Sequence, residues 1–198
     1  MDGWREHFAP VIRRAGFKGS GQNFRRAAGD FVQVVNLQGS RGGGKFAVNL
    51  GLQPLAIPDV AGRVVDPAAI KECECEFRGR LTETGADQWW SYSTTKASIE
   101  GAALSAARLF EAIGLPLFEE LSAPDSPILT ITAAQFADQA FSIPGLRSSK
   151  PRTAQTLALL RLAQGKEVEA RLFAKLAVDL ASSQMQVRPE IVTLAGAG

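Results

Sequence analysis

An α+β fold is predicted by three features of the 198-residue sequence. Segments 31–38 and 46–53 have the patterning of half-buried strands, the Gly29-Asp30 pair between neighbouring strands is turn chemistry, and other segments repeat their apolar residues every three or four positions. The expected architecture is an antiparallel sheet meander packed against an N-terminal helix and a following long helix, with a C-terminal helical hairpin.

The elements follow in order. Within residues 4–15, Trp4, Phe8, Val11, Ile12 and Ala15 make one helical face, and Gly16 is placed to end it. Pro10 inside that pattern predicts a kink or a late helix start, because proline lacks an N–H and its ring clashes with the preceding turn. Residues 23–28 read as a first strand, turned by Gly29-Asp30 into a second over 31–38. A third strand covers 46–53, where Phe46, Val48, Leu50 and Leu52 alternate with Ala47, Asn49, Gly51 and Gln53.

Residues 54–72 are broken by Pro54, Pro58, Gly62 and Pro67. Asp66-Pro67 reads as an N-cap followed by a first-turn proline, predicting a short helix. The run 72–77 has two readings. As a strand, its strict alternation sends Cys73, Cys75 and Phe77 to one side and three glutamates to the other; as a helix, Ile70, Cys73 and Phe77 share a face. A further strand is expected at 88–94.

A long helix follows over 95–113, with Ile99, Ala102, Ala103, Ala106, Phe110 and Ile113 on one stripe and Gly114 and Pro116 as stop signals. Thr132 with Gln135 forms a capping box before a short helix. Helices over 151–164 and 166–183, separated by Gly165, make the hairpin, and the AGAG ending is expected to fray. The division expected is a sheet domain over 1–121 and a helical extension over 122–198 docked on it.

Composition narrows the class. Hydrophobic residues are 45% and charged residues 21%, and mean hydropathy is zero, which suits a globular core and excludes collagen-like and wholly disordered chains. No continuous apolar run approaches the roughly 18 residues of a membrane span, and the first eight residues, MDGWREHF, carry charges where a signal peptide needs an apolar centre. A cytoplasmic protein with no membrane partner is expected. Cys73 and Cys75 are too close in sequence to staple a loop, in keeping with a reducing compartment. Net charge is only +2, but residues 1–50 hold eight basic and three acidic groups, so the N-terminal third is mildly basic.

Three patterns bear on chemistry. Residues 39–45, GSRGGGK, have the lysine spacing of a phosphate-binding loop, yet Phe46 replaces the magnesium-holding hydroxyl and a strand follows where a helix N-terminus is required. A flexible basic loop carrying Arg41 and Lys45 is the better reading. Cys73, Cys75 and the single His7 lack the second pair a structural zinc site needs, so buried thiols are expected, with no metal and no cofactor. No nucleophile constellation is visible, which leans against an enzyme. Adjacent Trp89 and Trp90 must face opposite sides of a strand, so one belongs to the core and the other requires either a second cover or a partner.

Taken together, Gly16-Phe17, NFRR at 23–26, VQVVNLQGS at 32–40, FAVNLGL at 46–52, CEFRxRL at 75–81 and DQWW at 87–90 resemble the bacterial domain of unknown function family 4304 over roughly the first 115 residues. The resemblance implies a small α+β domain and transfers no catalytic residue.

The leading functional expectation is a noncatalytic module that binds another protein. Arg78, Arg80, Trp89 and Trp90 form its expected working face, with Asn36, Asn49, Arg41 and Lys45 as further binding candidates. One alternative is a small-ligand or phosphate-handling enzyme using Arg78, Arg80 and the glycine loop with Asn36 and Asn49. Another is nucleic-acid binding through the basic N-terminal third, with aromatic stacking.

Overall fold

Helix α1 (Trp4–Arg14) places Phe8, Val11 and Ile12 in the core. The computed structural model of the chain describes residues 3–138, 143, 145–182 and 185–196. Pro10 lies inside α1 on its exposed side, so the helix begins before the proline rather than at it. It ends at Gly16, whose φ of +86° lets the Gly16 N–H reach the Arg13 carbonyl and the Phe17 N–H reach the Ile12 carbonyl.

Strands β1 (Lys18–Ser20), β2 (Asn23–Ala28), β3 (Phe31–Gly39), β4 (Lys45–Pro54) and β5 (Phe77–Arg80) follow one another across an antiparallel sheet. A sixth strand, β6 (Trp90–Ser91), pairs with the start of β4, beside the stretch that β5 occupies. The expected α+β meander is therefore present and wider than its three legible strands. β1 is three exposed residues with no apolar period to betray it. The strand expected over 88–94 shrinks to two paired residues.

Side chains alternate between two faces. Phe31, Val35 and Leu37 of β3, with Phe46, Val48, Leu50 and Leu52 of β4, enter the main core beneath the helices. On the opposite face Val32 and Val34 meet Ile70 and Cys75 of the segment over 55–76 in a smaller apolar cluster.

That segment corrects two expectations. Asp66-Pro67 opens a single turn, with the Asp66 carboxylate accepting from the Ala68 N–H, rather than a helix. Glu72–Glu74 is one turn of 3-10 helix and the strand starts only at Phe77. The turn breaks the alternation, so Cys75 is buried while Cys73 is exposed, and the two thiols do not share a side. Burial pushes the Cys75 thiol up, away from thiolate chemistry.

Helix α2 (Lys96–Leu109) is capped by the Thr95 hydroxyl. It does not stop at Gly114 and Pro116. A π-helical turn, Phe110–Gly114, carries the chain directly into α3 (Leu115–Ser122). The widened turn accommodates a proline that would break a regular ladder. A Cβ on Gly114 would lie 2.7 Å from the ring of buried Phe110, so this glycine allows close packing rather than termination. The helical stretch Lys96–Thr130 is long and apolar enough to cross a membrane by length and composition, but Ala103, Ala106, Phe110, Phe118 and Leu121 along it lie in the core with the sheet.

Beyond it come α4 (Pro127–Thr130), α5 (Ala133–Ala137) with the expected Thr132–Gln135 capping box, α6 (Lys150–Ala163), α7 (Glu167–Leu180) and α8 (Pro189–Gly196). The α6–α7 pair is the expected hairpin. Residues 197–198 of the AGAG ending lie outside the described residues. Ile128, Phe136, Leu157, Phe173 and Ile191 join the same apolar cluster as Phe8, Phe31 and Phe118. Arg161, fully buried, donates to the carbonyls of Ile128 at 3.2 Å and Ile131 at 2.7 Å, tying α6 to α4.

Candidate functional site

The other half of the second sheet face carries a row of polar side chains in register, from partly buried Asn23 to buried Asn49. Asn23 of β2 lies opposite Asn36 of β3, Asn36 opposite Asn49 of β4, and Asn49 opposite Arg80 of β5. Opposed residues share a face, so four strands contribute one line of amides ending in a guanidinium. The Asn36 amide nitrogen donates to the Asn23 side-chain oxygen at 2.9 Å. Asn49 donates to the side-chain oxygens of Asn36 at 3.1 Å and Gln38 at 3.0 Å. Each amide fixes the rotamer of the next, giving a pre-ordered polar shelf.

At the β5–β6 end the shelf meets Trp89. The Arg80 guanidinium carbon lies 5.0 Å from the centroid of its ring and the Lys45 ammonium 5.1 Å. Both are within cation–π range. The indole N–H donates to Asp87 at 2.8 Å, which fixes the ring plane. Arg80 Nη1 lies 3.4 Å from an Asp87 carboxylate oxygen as an ion pair, but it is buried and makes no hydrogen bond. The shelf therefore presents a partly buried aromatic ring and two cations, beside a buried guanidinium nitrogen that makes no hydrogen bond.

Five of the eight expected residues meet here: Asn36, Asn49, Arg80, Trp89 and Lys45. Trp90 does not. It points to the opposite face, 6% exposed and stacked on Phe46 at 5.7 Å, because neighbouring strand residues face opposite ways. Arg78 lies on the shelf's side of the sheet, but its guanidinium pairs with Glu72 at 2.7 Å under the 3-10 turn. That carboxylate raises the Arg78 pKa further. Arg41 sits exposed in the β3–β4 turn, away from the hydrogen-bonded row. This turn joins strand to strand, so no helix N-terminus meets the glycines. Asn23 and Gln38 are shelf residues that the sequence reading missed, although Asn23 recurs thirteen positions before Asn36, which precedes Asn49 by thirteen.

Three arginines of the basic N-terminal third bond to backbone or side chains of other elements. Arg26 donates to Gln33 at 2.8 Å and to the Ala15 carbonyl at 2.9 Å, and lies over the Phe17 ring at 4.9 Å. Arg25 donates to the Ile70 carbonyl and, at 2.8 Å, to that of Ala69. Arg13 donates to the Gly19 carbonyl at 3.2 Å. These arginines join elements together, while Arg14, Lys18, Arg41 and Lys45 are exposed. Among the described residues no group of three or more His, Cys, Asp or Glu side chains is arranged to hold a metal ion.

A second polar centre surrounds Glu76, at the end of the 55–76 segment. Its carboxylate is buried and accepts from the Thr156 hydroxyl at 3.1 Å. It pairs with Arg152 at 3.5 Å and with Arg188. The Gln53 side chain accepts the Glu76 N–H at 2.9 Å.

Comparison with known proteins adds one match. The family model described as Domain of unknown function (DUF4304) matches residues 8–120, which contain every residue of the shelf. No curated protein and no solved structure matches.

Proposed function

We propose, for a chain that belongs to the family of the domain of unknown function DUF4304, that it is a noncatalytic module whose polar shelf binds another protein through a carboxylate-bearing segment. The observation that carries this reading is the environment of Trp89: a partly buried ring with the exposed Lys45 and the partly buried Arg80 each about 5 Å from its centroid. A carboxylate in the segment pairs with the two cations, Lys45 and Arg80, and an apolar neighbour in the same segment covers the ring. Tryptophan and arginine are the side chains on which interfaces most often concentrate binding energy. Asn49 is buried within the amide row, so what the row offers a peptide backbone comes from Asn23, Asn36 and the exposed Gln38. The free thiols of Cys73 and Cys75 support a cytoplasmic setting.

The test is selection of binding peptides from a library of acidic and apolar residues displayed against the full chain, with affinities then measured by fluorescence polarisation. Selected peptides should carry acidic residues and should lose about tenfold or more in affinity to Arg80→Ala and to Trp89→Ala. Peptides bound equally well by both variants, or no acidic enrichment, would overturn the reading.

A further inference from the structure

The Glu76 centre opens into a cleft of about 510 Å³ between the family-matched region and the C-terminal helices. Ligand clefts commonly run from about 300 to 1,000 Å³. One wall comes from the first turns of α6, through Ser149, Arg152, Gln155 and Thr156; another comes from Arg188 and Pro189 at the start of α8. Two helix N-termini thus meet at one cleft that also holds two arginines.

Glu76 orients those arginines without saturating them. Arg188 directs Nη2 to the Glu76 carboxylate and, at 3.1 Å, to the Asp59 carbonyl, while its backbone N–H donates to the Gln155 side chain at 2.9 Å. The other terminal nitrogen, Nη1, is buried and has no hydrogen-bond partner. Arg152 approaches Glu76 through Nε at 3.5 Å and its side chain remains 42% exposed. The Ser149 hydroxyl makes no capping bond to α6. With one carboxylate against two guanidiniums the centre keeps a net positive charge. Arg152 is the accessible cation of the pair, and the unpartnered Arg188 nitrogen becomes a donor to an anion once the Arg188 side chain turns toward it.

From this arrangement we infer that the cleft is a binding site for a small organic anion, held by its phosphate or carboxylate group between Arg152 and Arg188. The rest of the ligand lies against Val60 and Met185. The residues involved are separate from the shelf, so the two sites fail or stand independently.

The experiment is a ¹H–¹⁵N NMR titration of the full chain with inorganic phosphate and, in a parallel arm, succinate, at ionic strength held constant with sodium chloride. The two arms separate phosphate from carboxylate recognition. In at least one arm, amides of residues 149–156 and 188–190 should shift saturably with Kd below about 1 mM. Arg152→Gln leaves Glu76 its partners Arg188 and Thr156 and should weaken binding about tenfold. Arg152→Lys keeps the charge without the fork and should fall between. Trp89→Ala, on the shelf, should bind as the unaltered chain does. Linear shifts in both arms, equal shifts with chloride alone, or affinity unchanged in Arg152→Gln would overturn the inference.

Discussion

The guanidinium carbon of Arg80 and the ring centroid of Trp89 are 5.0 Å apart, brought together because β5 and β6 both pair with β4. One residue further on, Trp90 enters the opposite face of the sheet. The adjacent tryptophans therefore have separate duties, and the first prediction rests on that separation.

Trp90→Ala should destabilise the fold by about 3–5 kcal/mol, since it removes a buried ring stacked on Phe46. Trp89→Ala removes a partly buried ring and two cation–π contacts, and should cost less than Trp90→Ala, about 1–2 kcal/mol. Urea unfolding of both variants checks the contrast. Equal, severe losses would mean that Trp89 is core as well.

Gly114→Ala sets helix propensity against packing. Alanine gains about 1 kcal/mol in a regular helix. Here its Cβ would meet the Phe110 ring at 2.7 Å and Leu81 at 3.3 Å, and both neighbours are buried. Overpacking should win, for a net loss of about 1–2 kcal/mol by calorimetry. A stabilised variant would show that the π-helical turn relaxes to a regular helix without penalty.

Asp59 and Glu74 share Arg63, with contacts of 2.7 and 2.9 Å. Burial alone would raise the Asp59 carboxyl, but the Arg63 backbone N–H, its guanidinium and the Ala61 N–H outweigh it and hold the pKa below its ordinary 3.8. The Lys71 N–H, then Arg63, hold Glu74 below 4.5. With folded-state values depressed, the unfolded chain binds more protons, so this stability is present above the ordinary pKa and is lost as pH falls through the folded values. Unfolding free energies measured from about pH 6 down to about pH 3 should fall with acidity, and Arg63→Ala should flatten that fall. An identical slope in the variant would count against the shared pairing.

Removing residues 122–198 should do more than trim the molecule. Glu76 would lose Arg152, Arg188 and Thr156 together, and breaking a buried ion pair typically costs about 3–5 kcal/mol. The common apolar cluster would also lose Ile128, Phe136, Leu157, Phe173 and Ile191. We expect no cooperative thermal transition by circular dichroism from a chain ending at Leu121. A sharp melt would show that the sheet region folds alone.

Legibility in the sequence followed the range of each interaction. The period-two run of β4, the Thr132 capping box and the α6–α7 hairpin are local patterns, and they could be read directly. Glu72 to Phe77 misled because strict alternation is compatible with a 3-10 turn that tucks Cys75 under the sheet and leaves Cys73 outside. Gly114 and Pro116 looked like stops because a π-helical turn has no composition of its own. Asn36, Asn49 and Arg80 were singled out as residues, yet their alignment depends on strand register, as does the place of Asn23. The Glu76 centre joins residues 80 and 112 positions apart and left no local signal at all.

The central claim is that Arg80 and Trp89 act as one recognition unit, and a double-mutant cycle on both residues, using a selected acidic peptide, tests it most directly. The account predicts that each single alanine variant loses about tenfold or more in affinity and that the double variant loses clearly less than the product of the two. Independent effects that multiply, or peptide affinity unchanged in both single variants, would contradict it.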